Sequence, residues 1–170
     1  MFPHPSPLLT VAPGVGAGDI TVGNTGARTT NIATSANAQI GEAWLAAQSG
    51  MLNFITIVGG TSATSVNYRL CIYAASSASA WGALLGQSAD QNGLGITEVR
   101  KLALQAPVTV VAGNRYVLTL QADASMPAGA NSFGAGDRSF SDTFSDGPAS
   151  SASATSSFSS GNHCINASTS

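Results

Sequence analysis

Hydrophobic and polar positions alternate along the middle of the chain with the two-residue period of a β-strand. In residues 66–73, VNYRLCIY, one set of alternate positions holds Val, Tyr, Leu and Ile, and the other holds Asn, Arg, Cys and Tyr. Residues 115–122, RYVLTLQA, repeat this alternation, with Tyr116, Leu118 and Leu120 predicted to face inward. This period predicts strands with one buried face and one face toward solvent.

Two further segments are predicted as strands on different grounds. Residues 51–58, MLNFITIV, are apolar or β-branched at both sets of positions, which predicts a strand covered on both faces and ended by Gly59 and Gly60. Residues 39–48, QIGEAWLAAQ, have a helix-favouring composition. Gly41 weakens a helix, and the next strand follows after two residues, so we predict a strand there as well.

The remaining patterns in the middle and at the end of the chain are short strands separated by turns. Weaker strand patterns lie at residues 83–88, 99–104, 108–111 and 163–167. Asn92 with Gly93, and residues 112–114, supply turn chemistry, because Asn and Gly tolerate positive φ. The spacing predicts an all-β fold, an antiparallel β-sandwich of jelly-roll type.

Residues 1–38 differ from the rest in composition. Prolines at positions 3, 5, 7 and 13 fix φ and remove hydrogen-bond donors, so this region is predicted to be an extended N-terminal arm rather than a helix or a central strand. An arm that cannot build its own core docks on another surface or stays mobile. Its apolar side chains are candidate contacts with a partner or a neighbouring subunit: Phe2, Leu8, Leu9 and Val11.

The sandwich domain is predicted to span residues 39–170 and to include a serine-rich region of long loops at 124–160. Four phenylalanines punctuate this region, at positions 133, 140, 144 and 158. Aromatic rings recurring in a serine-rich tract indicate pieces that dock on the sandwich.

Charge is scarce. The chain has 6 basic and 8 acidic residues and a net charge of -2, so 8% of it is charged against about 25% in a typical globular domain. Six cations cannot neutralise a run of phosphates, and a net negative charge does not attract anionic membranes. No apolar stretch is long enough for a membrane span, and the N-terminus has no basic region of an export signal. We therefore expect a soluble protein with neither a nucleic-acid nor a membrane partner.

The residues that carry chemistry do not form a catalytic pattern. The only histidines are His4, which lies between prolines, and His163, whose neighbour Cys164 points to the opposite face of a strand. No pair of carboxylates indicates a glycosidase. The protein is thus predicted not to be an enzyme, to have no catalytic residue and to need no cofactor.

Metal binding is also not expected. Cys71 and Cys164 are too far apart in sequence for local metal-ligand spacing, and they form one disulfide or none. Asp137, Asp142 and Asp146 lack the spacing and the closing Glu of an EF-hand, which leaves a calcium site as a minor alternative to solvated loop acids.

Trp81 is the best aromatic candidate for a binding role. It follows a small-residue loop, where an exposed ring stacks on a sugar or anchors in a partner's pocket. Packing in a core is the commoner use of such a residue.

Three segments carry a family resemblance: residues 71–74 (CIYA), 81–86 (WGALLG) and 106–118 (APVTVVAGNRYVL). Together they resemble β-sandwich modules of tailed-phage virion proteins, which occur in tail fibres, tail tips and capsid decoration (cement) proteins. The resemblance covers residues 40–123, about half of the chain.

The resemblance implies architecture and location rather than chemistry. It implies a structural protein of the virion, made in the host cytoplasm, that binds the major capsid protein on the outer capsid surface and stabilises the shell. Modules of this kind surround symmetry axes, so a homotrimer is expected. The alternative is a receptor- or glycan-binding module of a tail fibre or tail tip, with a surface glycan as partner.

Overall fold

The computed structural model of the chain describes residues 19–131, 138–152, 156–157 and 162–170. In these residues the protein is all-β, as predicted, and every pairing between strands is antiparallel. The strands are β1 (Thr21–Gly23), β2 (Thr30–Ala33), β3 (Ala38–Leu45), β4 (Gly50–Val58), β5 (Thr64–Ala75), β6 (Trp81–Gln87), β7 (Gln91–Leu94), β8 (Val99–Val110), β9 (Arg115–Ala122), β10 (Pro127–Asn131), β11 (Arg138–Ser141), β12 (Ser156–Ser157), β13 (Asn162–His163) and β14 (Ile165–Ser168). A single-turn 3-10 helix spans Phe144–Asp146, and no helix of the described residues is long and apolar enough to cross a membrane.

The strands form three sheets. A four-stranded sheet has the order β1-β14-β4-β8, and a seven-stranded sheet has the order β12-β11-β3-β9-β5-β6, with β7 also paired to β5. A three-stranded sheet, β13-β10-β2, is joined to the end of β4 by a bridge between Gly59 and Ala128. The two larger sheets pack face to face, which makes the molecule a β-sandwich.

The main core lies between these two sheets. β4 contributes Leu52, Ile55 and Ile57, all fully buried, and β14 contributes Ile165. Facing side chains from the seven-stranded sheet are equally buried, and they are Tyr68, Leu70, Ile72, Leu118 and Leu120. Each fully buried aliphatic side chain of this kind stabilises the fold by about 1.5–3 kcal/mol relative to an exposed one, before ordering costs.

The predicted burial of the central strands is wrong in two places. β5 and β9 were predicted to be half-buried, but Cys71 and Tyr73 on β5 and Thr119 on β9 are buried on the supposed solvent face. β4 was predicted to be covered on both faces, but Met51 is 51% exposed. The content of β-branched residues therefore did not distinguish a strand buried on both faces from a strand buried on one face.

The second face of β5 and β9 is covered by the serine-rich region. Residues 138–152, which we call the covering segment, begin with β11 paired to β3 at one side of the sheet. They end at the other side, where Ser151 bridges Ala83 of β6 and Ala152 donates its N–H to Gly82. The segment thereby closes over the sheet, as its aromatic residues predicted.

A smaller core fills the space beneath the covering segment. It contains Ala43, Cys71, Tyr73, Trp81, Val117, Phe140 and Ala152. The ring of Phe140 meets the rings of Tyr73 and Trp81 edge to face, with centroids 6.2 and 5.8 Å apart. Phe133 and Phe158 lie outside the described residues.

The sandwich begins before residue 39, its predicted start. β1 is an edge strand of the four-stranded sheet, where it pairs with β14, and β2 pairs with β10. Both strands lie inside the region predicted as an arm, because short polar strands of three or four residues give no measurable periodicity. Residues 1–18, the proline-rich part of the predicted arm, lie outside the described residues.

Other local predictions are confirmed or corrected. Residues 39–48 contain β3 and no helix, and Gly41 is required there, because a Cβ would collide with the carbonyl of Leu118. The two patterns at residues 99–104 and 108–111 form one strand, β8, which ends at Val110 and is irregular in its middle. Asn92 and Gly93, predicted as a turn, lie within β7. Gly113 does form the turn before β9, with φ of 83°.

Candidate interaction surfaces

Trp81 is the one residue predicted to contact a partner that lies within the described residues. Phe2, Leu8, Leu9 and Val11 lie outside the described residues. Trp81 is only 6% exposed, and its Nε1 donates to the carbonyl of Ala78 at 3.3 Å. The tryptophan ring thus packs in the smaller core, since a ring of this area is stabilised by burial, and it offers no stacking surface.

Buried polar groups lie between the seven-stranded sheet and the covering segment. Gln39 is their centre, and its Nε2 donates to the Tyr73 hydroxyl and to Asp142 Oδ2, both at 2.6 Å. The Thr119 hydroxyl donates to Gln39 Oε1, also at 2.6 Å. Asp142 Oδ2 accepts a further bond from the backbone N–H of Ala149 at 3.0 Å. Hydrogen bonds of this kind remove the cost of burying polar groups and fix the segment's position.

Arg69 anchors the next part of the covering segment. Its guanidinium Nη2 donates to the carbonyl of Phe144 at 2.8 Å, and its carbon Cζ lies 4.1 Å from the centre of the Phe144 ring. Arg69 also pairs with Asp90: its Nη2 donates to Asp90 Oδ2 at 3.3 Å, and its Nε lies 2.9 Å from Asp90 Oδ1 in a salt bridge. Gln121 adds bonds from its Nε2 to the carbonyls of Asp142 and Thr143.

The chemistry available beneath the covering segment is limited. Burial raises the pKa of the Cys71 thiol to about 12, despite a hydrogen bond with Thr119 that lowers it. Burial also raises the pKa of Tyr73 above its ordinary range. Both groups are therefore neutral at physiological pH, and nucleophilic attack requires the thiolate. This polar cluster can hold a segment in place, but it does not present an activated group.

The other candidate chemical groups are also accounted for. Cys71 and Cys164 are both buried, and they form no disulfide with each other. His163 is 3% exposed within β13, whereas His4 lies outside the described residues. Over the described ranges, no group of three or more His, Cys, Asp or Glu side chains could hold a metal ion. Asp137 of the calcium alternative lies outside those ranges.

The outer face of the four-stranded sheet is open to solvent. One row of side chains crosses it from Asn166 through Thr56 to Lys101, which are paired across β14, β4 and β8. Lys101 Nζ lies 4.3 Å from the centre of the Phe54 ring, a cation–π contact on the same face. Val99, at the beginning of β8, is 69% exposed.

A groove of about 280 Å³ lies on this outer face. Its walls and floor combine the loop of residues 24–28 with side chains of three strands, and the lining residues are Asn24, Thr25, Gly26, Ala27, Arg28, Thr56, Val58, Val99 and Asn166. Val58 and Val99 are directly paired across β4 and β8 and form its apolar part. We call this feature the sheet-face groove.

The loop of the sheet-face groove is held from below. Asn24 is buried, and its Oδ1 accepts the backbone N–H of Gly26 at 2.9 Å. Its Nδ2 donates to the carbonyl of His163 at 3.1 Å, and its own N–H donates to the carbonyl of Ile165 at 2.8 Å. A short polar side chain that bonds its own loop stabilises such a turn.

The turn before Val99 is fixed as well. Glu98 accepts the backbone N–H of Gly95 at 2.6 Å and forms a two-pronged pair with Arg100, at 2.6 and 2.9 Å. The Arg100 guanidinium and the Gly95 N–H lower the pKa of the Glu98 carboxyl. Ile96, 58% exposed, lies in this turn.

A second hollow, of about 220 Å³, lies at the start of the described chain. It is lined by Asp19, Ile20, Thr21, Ala47 and Gln48. Leu45, just before this loop, is an exposed apolar side chain.

Comparison of the chain with protein-family models, with curated proteins and with solved structures finds no match. The resemblance to phage virion modules therefore stays a prediction.

Sequence reasoning missed both the sheet-face groove and the polar groups under the covering segment. The groove depends on Val58, which belongs to a strand predicted to be covered on both faces, and on Val99, which belongs to a weaker strand pattern. The polar cluster depends on Gln39, Thr119 and Gln121, which were assigned to solvent or not considered. Polar residues that bond to one another from segments distant in sequence produce no local periodic pattern.

Proposed function

We propose that this protein is a non-enzymatic structural protein of a tailed-phage virion, a decoration or cement protein bound to the outer capsid surface. The observation that supports it best is the distribution of polar chemistry. The Cys71 thiol and the polar groups around Gln39 are covered by residues 138–152, and Gln39 is bonded to Tyr73 and Asp142, whereas the outer face of the four-stranded sheet exposes Val99 and Met51. Exposed apolar surface of this kind marks contact sites between proteins.

The proposed mechanism is mechanical. Each copy binds across adjacent coat subunits and stabilises the assembled shell over the free subunits, because a ligand that binds only the assembled state shifts the equilibrium by mass action. No bond is made or broken. A rigid sandwich suits this role, since a preorganised surface loses little entropy on binding.

Self-association and the N-terminal region complete the proposal. Copies assemble as a homotrimer around a symmetry axis. Residues 1–18, with Phe2, Leu8, Leu9 and Val11, contribute contacts to a neighbouring copy or to the major capsid protein. β1, which follows these residues in the chain, is an edge strand of the open sheet.

The tail-fibre or tail-tip alternative, with a receptor or glycan as partner, depended mainly on Trp81. Its ring is buried, and the other tryptophan and tyrosine rings in the described ranges are at most partly exposed. Sugar binding relies on open aromatic faces, so the geometry favours the decoration role.

The copy number in purified particles separates the two roles. Quantitative mass spectrometry of virions, with the major capsid protein as internal standard, should give hundreds of copies per particle for a decoration protein. A handful of copies would overturn the decoration role in favour of the tail.

Deletion of residues 1–18 tests the arm separately. The shortened protein should fold, because the described core begins at Ile20, and should bind capsids less completely than the full chain. Undiminished occupancy would remove the arm from the proposal.

A further inference from the structure

We propose that the sheet-face groove binds an extended polypeptide segment that carries an aliphatic side chain next to a carboxylate. The aliphatic group lies on Val58 and Val99, and the carboxylate lies on Arg28, with Lys101 on the same sheet face adding to the positive charge. This inference rests on the groove itself and holds whichever protein supplies the segment.

The apolar half of the groove is built from a directly opposed pair of valines. Val58 and Val99 are paired across β4 and β8, and Val99 is 69% exposed. Covering such a side chain gains about 25 cal/mol for each Å² removed from water.

The charged half of the groove departs from the charge of the whole chain. The protein has net charge -2 and only six cations, yet Arg28 lines the groove and Lys101 is paired directly to its floor residue Thr56. No Asp or Glu is among the lining residues. Within the described chain, Arg28 and Lys101 form no salt bridge, whereas Arg69 and Arg100 do. The lining of the groove therefore carries one cation and no carboxylate, a charge complementary to a carboxylate on the bound segment.

Arg28 is held in position for this role. Gly129 lies under its side chain, where a Cβ would come within 2.8 Å of Arg28 Cδ. Its Nη1 donates to Asn31 Oδ1 at 3.2 Å, and a guanidinium has four further N–H donors. A positioned guanidinium can bind a carboxylate through two parallel hydrogen bonds, at less entropic cost than a free one.

The groove matches a polypeptide better than the other polyanions. Two cations cannot neutralise a run of phosphates, so nucleic acid would bind weakly, and a membrane surface requires a cluster of basic residues. Asn166, Thr56 and Thr25 add side-chain hydrogen-bonding groups among the lining residues, suited to a backbone.

The test uses the full chain, labelled with ¹⁵N, and a blocked hexapeptide of alternating Val and Glu. We expect the amide resonances of residues 24–28, Val58 and Val99 to shift on titration, with an affinity that falls as salt is added. A matched Val–Gln peptide should bind at least tenfold more weakly, and a Val–Lys peptide should not bind.

Variants locate the site. Arg28→Gln and Lys101→Gln should each weaken binding of the Val–Glu peptide several-fold, and Val99→Ser should weaken both the Val–Glu and Val–Gln peptides. Arg115→Gln is the matched control, because Arg115 is exposed and follows the far end of β8. These side chains are all partly or largely exposed, so the variants should remain folded.

Several results would overturn the inference. They are the absence of groove shifts at millimolar peptide, equal affinity for the Glu and Gln peptides, or equal effects of Arg28→Gln and Arg115→Gln. Tighter binding of a DNA oligonucleotide or of phosphatidylglycerol vesicles at these residues would assign the groove to another ligand. Concentration-dependent shifts without peptide would assign it to a second copy of the chain. Capsid binding enters none of these measurements, so the decoration role can fail while this inference stands.

Discussion

The burial of Trp81 gives the first test at the scale of single residues. Its ring fills the smaller core against Phe140, so Trp81→Ala should lower the free energy of unfolding by about 3–5 kcal/mol. Urea denaturation followed by circular dichroism measures the change. Leu85→Ala is the control on the same strand, and since Leu85 is 40% exposed it should cost much less.

An equal, small effect of both substitutions would contradict this account of Trp81. It would mean that the ring contributes little to the core, and the residue would return as a candidate for contact with a sugar or a partner.

The buried ionisable groups predict a loss of stability at alkaline pH. The Cys71 thiol ionises near pH 8.5 in an unfolded chain but only at about pH 12 in the folded one, because burial disfavours the thiolate. Above about pH 9 the unfolded state therefore binds fewer protons than the native state, and the free energy of unfolding falls as pH rises. The raised pKa values of Tyr68 and Tyr73 extend this fall at higher pH.

Denaturation in urea between pH 8 and pH 11 measures this dependence. Each group that titrates only when unfolded contributes a slope of at most about 1.4 kcal/mol per pH unit. Cys71→Ala should make the slope between pH 9 and pH 10 shallower, whatever its effect on stability at pH 7. An unchanged slope would show that the thiol is accessible in the native protein.

At the scale of elements, the covering segment depends on a buried cation with an exposed partner. Arg69 is buried, whereas the side chain of Asp90 is 59% exposed. Asp90→Ala leaves the buried cation with only the Phe144 carbonyl and ring, and should cost about 2 kcal/mol. Arg69→Met removes the charge and leaves Asp90 hydrated, so it should cost less.

Hydrogen exchange distinguishes the two substitutions further. Arg69→Met removes the bond to the Phe144 carbonyl and should speed exchange of amides at 142–149, whereas exchange in β4 should be unchanged. Arg115→Met serves as a control on an exposed arginine. If Arg69→Met proved the more destabilising variant without changing exchange in the covering segment, the anchoring role would be wrong.

The elements show what the sequence could predict and what it could not. β3, β4, β5, β6 and β9 were all predicted, because their periodicity and turn residues are local properties. The burial of their second faces was not, since it depends on a segment about 70 residues further on that returns over β5. Gln121, predicted to face outward, bonds instead to carbonyls of that segment.

The sheet-face groove was beyond prediction for a related reason. Val58 and Val99 carry the same apolar signature as core valines, and only the pairing of β4 with β8 places them together on an open face. Arg28 belonged to the predicted arm, yet the loop of residues 24–28 is fixed against β13 and β14 through Asn24. Contacts between residues so distant in sequence leave no local pattern.

At the scale of the whole molecule, the two sides of the sandwich differ. The seven-stranded sheet has its outer side covered by residues 138–152, and the four-stranded sheet leaves Val99 and Met51 exposed. Because residues 138–152 cover the outer face of the seven-stranded sheet, we expect partners to bind the outer face of the four-stranded sheet. This asymmetry is the physical basis for proposing a protein that binds and clamps rather than one that catalyses.

A cryo-electron microscopy map of particles that carry the protein tests this central claim most directly. The account predicts sandwich-shaped density in many copies, grouped in threes on the outer capsid, with residues of the exposed sheet or of the N-terminal region against the coat. Density confined to the tail in a few copies, or capsid contacts made only through residues 138–152, would contradict it.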